Sequence, residues 1–221
     1  MSVPKFGFSA FLKIINANPR PQRTSVHKRC GPSTGGYDFH KSLRHRVQQV
    51  SFHGLSRAAV LASTQRISRL SERNSAEQAL KQFFLWKDAN PGEFEQAAPL
   101  TFSSPAGLYK VEFIPDFMTK IGDRRTAIHL WNTKNPLDGR LVRAVLSAVA
   151  ARYPVENRPD DVAVLSLKNR TLYRWSEADR DTRALGNRLL EMLDMQFATA
   201  RAELGLPASP DLDGAKPRPR P

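Results

Sequence analysis

The sequence predicts an α/β fold, a mixed sheet flanked by helices. Three observations carry that prediction. Short β-type runs at 99–104, 108–117 and 125–133 are separated by the turn formers Ser104-Pro105-Ala106-Gly107 and Ile121-Gly122-Asp123-Arg124-Arg125. The unbroken apolar run Asp161-Val-Ala-Val-Leu-Ser-Leu167 has the pattern of a strand buried on both faces. Helical patterns precede, separate and follow these runs, which suits helices layered on a sheet.

Residues 1–45 contain Pro4, Pro19, Pro21, Pro32 and the Gly35-Gly36 pair, so an extended arm is expected, with one apolar piece, Phe6 to Ile15, able to dock on the core or on a partner. Over 54–70, Leu55, Val60, Leu61, Ile67 and Leu70 form a partial helical stripe. Ser75 is expected to cap a second helix running to Trp86, with Glu77 in its first turn. Asn90-Pro91-Gly92 is a turn. Three strands follow as a meander. Asn135-Pro136-Leu137-Asp138 then opens a helix over 139–152, whose Leu141, Val142, Val145, Leu146 and Val149 make a wide apolar face. A strand reached through such a crossover helix is expected to lie parallel to its neighbour. Ser176 and Asp179 have capping-box spacing ahead of a helix to about 204, on which Leu185, Leu189, Leu193 and Phe197 recur every four residues; this face covers the sheet or binds a partner. The divisions expected are a basic arm at 1–53, an α/β core at 54–175, a C-terminal helix at 176–204 and a disordered tail at 205–221.

The chain has 221 residues and a net charge of +13. Residues 1–70 hold twelve Lys and Arg and one acid, Asp38, a balance of +11, together with four of the five histidines. A polyanionic partner is the physical reading, because each neutralised phosphate releases counterions. A solvated basic arm and an organellar transit peptide are the alternatives. Cys30 is the sole cysteine, so no disulfide forms within the chain and no cysteine zinc site is available; a reducing, cytoplasmic compartment is expected. No apolar run reaches the roughly 18 residues of a membrane span.

The chemistry concentrates at two strand ends. Pro115-Asp116 closes one run, and Asn132-Thr133-Lys134 closes the next. Asp116 offers a hard carboxylate and Asn132 a neutral carbonyl oxygen. Lys134, two residues on, points to the same strand face as Asn132. Mg²⁺ needs only one or two protein oxygens and can activate water against a phosphodiester. Glu77 adds a second carboxylate if its helix packs beside the strand ends, and Glu112 is a reserve ligand. Arg44, Arg46, Arg57, Arg66, Arg69, Arg124 and Arg125 are the expected nucleic-acid contacts, and Arg140 and Arg143 also flank the proposed site. His129 is expected to be a satisfied buried histidine, and Asp123 a turn residue.

With these residues in place, the chain resembles the PD-(D/E)xK nuclease superfamily: Glu77 on a helix, Pro115-Asp116 at a strand end, Asn132-x-Lys134 at the next. More narrowly, residues 75–135 look like the catalytic part of TnsA-type transposon endonucleases, through Ser75-Ala76-Glu77, Phe94-Glu95-Gln96-Ala97-Ala98-Pro99 and Phe113-Ile114-Pro115-Asp116-Phe117. The likeness covers roughly 75–168. It implies a restriction-endonuclease-like core and Mg²⁺-dependent (or Mn²⁺-dependent) cleavage of DNA, with a transposase or other recombination subunit as partner and no membrane. It further implies that Asp116, Asn132 and Glu77 hold the metal and Lys134 serves the nucleophile or the developing charge. Those enzymes accept an amide, generally Gln, at the middle position that Asn132 fills here. The alternative is a catalytically inactive protein on the same fold that binds nucleic acid or a transposase; a third reading is a structural partner protein built on the terminal helix.

Overall fold

The computed structural model describes residues 3–31 and 38–208. Its sheet order explains the layering. One sheet runs β4-β5-β6-β7, from β4 (Phe117–Ile121), β5 (Arg124–Trp131), β6 (Asp161–Ser166) and β7 (Thr171–Arg174). β5 pairs parallel with β6, as a crossover through α6 (Gly139–Ala150) requires, while β4 and β7 pair antiparallel at the edges. Along β5 and β6 the side chains alternate between two cores. Ala127, Trp131, Val162 and Val164 pack with α6 and α7 (Arg180–Glu203) on one face. Ile128, Leu130, Ala163 and Leu165 pack with α3 (Lys41–Phe52), α4 (Arg57–Ser63) and α5 (Leu70–Ala89) on the other. The fold is therefore mixed α/β, a sheet between two helical layers, and β6 is buried throughout.

The strand runs are reorganised relative to the expected meander. The second run divides at Ile114-Pro115-Asp116 into β3 (Lys110–Phe113) and β4, and these two belong to different sheets. β3 pairs antiparallel with β2 (Leu100–Ser103) and parallel with β1 (Lys5–Gly7). Pro115 has no N–H for a ladder, so the split falls where the backbone cannot pair. β7 was not anticipated.

The N-terminal segment is corrected most. Instead of an extended arm, its described residues form β1, α1 (Phe8–Ile15), α2 (Pro19–Cys30) and α3. Phe6, Phe8, Phe11, Leu12, Ile14 and Ile15 are buried in the α6/α7 core, so the apolar piece docks on the chain itself. Pro19 and Pro21 sit in the first turn of α2, where the missing N–H groups are needed by no helical bond. The Pro32 and Gly35-Gly36 signals lie outside the described residues, as does the tail from 209.

Helix ends differ too. The expected 54–70 helix is α4 followed by a 3₁₀ turn, Thr64–Arg66, and a break before α5. α5 begins at Leu70 rather than at Ser75, which lies inside it. Asp179 alone caps α7, its carboxylate accepting from the Thr182 amide, while the Ser176 hydroxyl turns to Asp161. α7 lies against α6 and α2, and Leu189, Leu193 and Phe197 are buried there. Gly186 marks the α6 crossing: a Cβ built on it would lie 2.2 Å from the Ala144 carbonyl oxygen.

Candidate functional site

Asp116 follows the Pro115 break and enters β4 opposite β5. Its amide donates to Ile128 O (2.8 Å), and its Oδ2 accepts from the Leu130 amide (2.7 Å). The carboxylate is 5% exposed. Arg44 Nε approaches Oδ1 at 3.5 Å, too long for a good hydrogen bond but close enough for charge attraction. Burial pushes the Asp116 carboxyl up to about 6, against the opposing pull of Arg44 and the Leu130 amide.

Arg44 is the hub around it. Its Nη2 donates to Ser9 Oγ (3.0 Å) and its Nη1 reaches Asp38 (3.5 Å). Ser9 Oγ lies 2.7 Å from His129 Nε2, and His129 Nδ1 lies 3.2 Å from Ile114 O. One tautomer satisfies the whole chain: Arg44 donates to Ser9, Ser9 donates to Nε2, and Nδ1–H donates to the carbonyl. His129 is thus the satisfied buried histidine expected, held neutral with its pKa lowered to about 3, chiefly by burial and then by Arg44. Ser9, His129 and Asp116 are the residue types of a hydrolase relay. Nδ1 serves the Ile114 carbonyl, however, with Asp116 Oδ2 at 3.7 Å, and so weak a base takes no proton at neutral pH. The network is structural; it ties α1 and α3 to the sheet.

Asn132 and Lys134 follow the end of β5 and face a different surface. Asn132 Nδ2 donates to Ser75 Oγ on α5 (3.2 Å). Ser75, Gln78 and Gln82 of α5 join Asn132, Thr133, Lys134, Leu167 and Lys168 around a cleft of about 280 Å³. Lys134 is exposed and makes no ion pair among the described residues. Glu77 sits on the same helix but pairs with Lys81 (2.7 Å). Glu72, in the first turn of α5, is buried; burial lowers the pKa of both His40 and Arg46, and Glu72 opposes that shift in each.

The structure therefore brings Asp116 together with Arg44, Ser9 and His129, and brings Asn132 together with Lys134 and Ser75. Asp116 and Glu77 do not line the Asn132–Lys134 cleft. Among the described residues no three His, Cys, Asp or Glu side chains gather as a metal cage. A carboxylate, an amide oxygen and waters are ligand types that Mg²⁺ takes, but Asp116, Asn132 and Glu77 are not gathered in one cleft. Glu112, the reserve ligand, pairs instead with Lys5 across β1 and β3 (2.9 Å).

Several of the expected phosphate contacts are otherwise employed. Arg44 is internal. Arg46, 8% exposed, spends its guanidinium on Ser63 Oγ, Ser63 O and Ser42 O, joining α3 to α4. Arg57 pairs with Asp88 and lies over the Phe84 ring. Arg66 and Arg69 stay on the surface beside the start of α5. Arg124 and Arg125 do not flank the site: they start β5, roughly 20 Å along the strand from Trp131. Arg125 pairs there with Glu95. Arg143 pairs with Glu177. Sequence reasoning missed the Ser9–Arg44–Asp116 network and Lys168. Nothing local to Ser9 or Arg44 marks a partner more than 70 residues away in the chain, but Lys168, one residue past a buried strand end beside Asn132, was inferable from the parallel pairing.

No family model matches the chain, and no curated protein matches it. Among solved structures, that of SSO0001 is similar over 78% of this chain and 83% of that one, at 12% identity and a TM-score of 0.32, a likeness too low to carry an argument. Among the described residues no helix is long and apolar enough to cross a membrane.

Proposed function

We propose that the protein is a metal-dependent DNA endonuclease with a restriction-endonuclease-like core of the PD-(D/E)xK class, most like the TnsA-type transposon endonucleases. The observation that carries the reading is the Asp116–Leu130 hydrogen bond (2.7 Å). It fastens a buried carboxylate to β5 two residues ahead of Asn132, on a strand whose end meets the helix that bears Glu77. Support also comes from the order helix, antiparallel strands, crossover helix and parallel strand, and from an exposed Lys134 ammonium that makes no ion pair among the described residues. In this reading Asp116 and the Asn132 carbonyl oxygen would hold Mg²⁺, assisted by Glu77, with these side chains, apart in the structure, converging on the bound ion. The bound ion would supply an activated water and charge neutralisation at the phosphoryl group. Lys134 orients the nucleophile or offsets charge on the phosphate. Arg44 balances the Asp116 charge while no ion does. DNA is the partner, with a transposase or other recombination subunit beside it.

The test is cleavage of duplex DNA in Mg²⁺ or Mn²⁺, alone and with the partner transposase. Loss of cleavage in Asp116→Ala and in Lys134→Ala, by about 10²-fold or more, is the expected result. Equal nicking by wild type and Asp116→Ala removes the site assignment.

A second reading is favoured by three contacts. Arg44 faces Asp116, Ser75 holds the Asn132 amide, and Lys81 holds Glu77. Each expected ligand thus has a partner within the protein, as in a nuclease-fold protein that binds nucleic acid or a transposase without cutting. Salt-sensitive DNA binding without any metal affinity would select it.

A further inference from the structure

The cleft beside the end of β5 differs in charge from the clefts described elsewhere on the protein. Its walls carry two lysines, Lys134 and Lys168, and no carboxylate. The remaining polar lining is neutral: Ser75, Gln78, Gln82, Asn132 and Thr133. Other clefts carry a glutamate beside their cations: Glu156 with Arg125 and Arg158, Glu95 with Lys120, and Glu203 with Arg23. Lys134 and Lys168 are exposed and make no ion pair among the described residues.

The fold brings the two together. Lys134 lies three residues beyond β5 and Lys168 two beyond β6, and these strands pair in parallel with Trp131 opposite Ser166. Their continuations therefore leave the sheet side by side. The β6–β7 connection turns back at once, through Arg170 in the left-handed region (φ 56°), and keeps Lys168 at the rim. Gln78 and Gln82, one helical turn apart on α5, form the facing wall with donor amides. Thr133 also lines the cleft, and its Oγ1 is buried with no hydrogen-bond partner among the described residues. Two adjacent ammonium groups repel each other, and an anion between them removes that cost. A volume of about 280 Å³ lies at the lower edge of ligand pockets and suits a phosphate group rather than a whole nucleotide.

We infer that this cleft is a phosphate-binding site, with Lys134 and Lys168 as its cationic walls and Gln78 and Gln82 as neutral donors. The inference rests on the nucleic-acid reading above for the source of the phosphate, a group of the polynucleotide backbone. It adds Lys168 and the two glutamines to the residues that grip it. The geometry of the cleft needs no metal, so binding is separable from cutting.

The experiment measures duplex DNA binding by fluorescence anisotropy in EDTA across a salt series, for wild type, Lys168→Ala and Lys120→Ala. Lys120 is exposed near the far end of the sheet and removes the same charge outside the cleft. The expected result is a salt slope reduced by about 1 in Lys168→Ala and by clearly less in Lys120→Ala. Equal effects of the two substitutions overturn the site. Calorimetry with inorganic phosphate separates the sources: phosphate binding lost in Lys168→Ala while duplex binding stays unchanged overturns the nucleic-acid source and keeps the anion site. Mg²⁺-dependent cleavage run on the same preparations distinguishes the two proposals. Cleavage with a silent Lys168→Ala sinks the cleft alone. Binding through Lys168 without cleavage, partner included, sinks the nuclease reading alone.

Discussion

Asp116 and His129 respond to pH in opposite directions, and the sign of each follows from burial. Burial pushes the Asp116 carboxyl up to about 6 in the folded chain, against an ordinary value of 3.8. Between these values the folded state holds the extra proton, so Asp116 makes stability fall as pH rises from about 4 to 6, by up to about 3 kcal/mol over that window. His129 titrates near 3 when folded against 6.5. There the unfolded chain holds the extra proton, so stability is lost as pH falls from 6.5 toward 3. In the wild type the two slopes partly cancel. Urea unfolding of Asp116→Asn at pH 4, 5, 6 and 7 should expose the His129 slope alone: the variant gains on the wild type as pH rises from 4 to 6. Parallel curves would contradict the burial argument. Arg44 lowers the Asp116 value, so Arg44→Ala should move that carboxyl above 6 in a carbon-detected NMR titration.

At the scale of elements, α6 and α7 meet at Gly186, where any Cβ would run into the Ala144 carbonyl. The obstacle is backbone and cannot rotate away. Gly186→Ala should therefore cost at least about 2 kcal/mol in chemical denaturation, although Ala is the better helix former. An unchanged midpoint would show that the two helices slide apart freely. The elements most legible in the sequence were those whose signal is local. β6 was readable from its unbroken apolar run, α6 from its wide apolar face, and the parallel pairing of β5 with β6 from the crossover between them. What failed was what depends on contacts distant in sequence. α2 has only Gln22, Val26 and Cys30 buried, at a spacing of four, and its prolines sit in the one turn that tolerates them. The start of α5 was hidden because Glu72 is an acid that the fold buries, against the usual preference. For the site, Asp116, Asn132 and Lys134 were readable as strand-end chemistry. The Arg44 and Ser9 contacts on Asp116 and His129 come from a segment that composition marked as an arm.

Over the whole molecule, the N-terminal segment is part of the core rather than an appendage. Six buried apolar side chains between Phe6 and Ile15 each contribute roughly 1.5–3 kcal/mol, which together matches or exceeds the net stability of a typical domain. Deleting residues 1–31 should abolish cooperative unfolding; a truncated chain that melts sharply would contradict this placement. The charge balance takes on a different meaning as well. Arg44 and Arg46 are engaged within the fold, and Lys134 and Lys168 are the exposed cations at the proposed cleft that make no ion pair among the described residues. If Asp116 belongs to a metal-holding phosphodiesterase centre, the protein binds a divalent ion through it. Mn²⁺ binding followed by electron paramagnetic resonance at pH 7.5 tests it most directly. The expected result is a bound ion in the wild type that disappears in Asp116→Ala and weakens in Glu77→Gln. Equal binding in wild type and Asp116→Ala, or none in either, would contradict it.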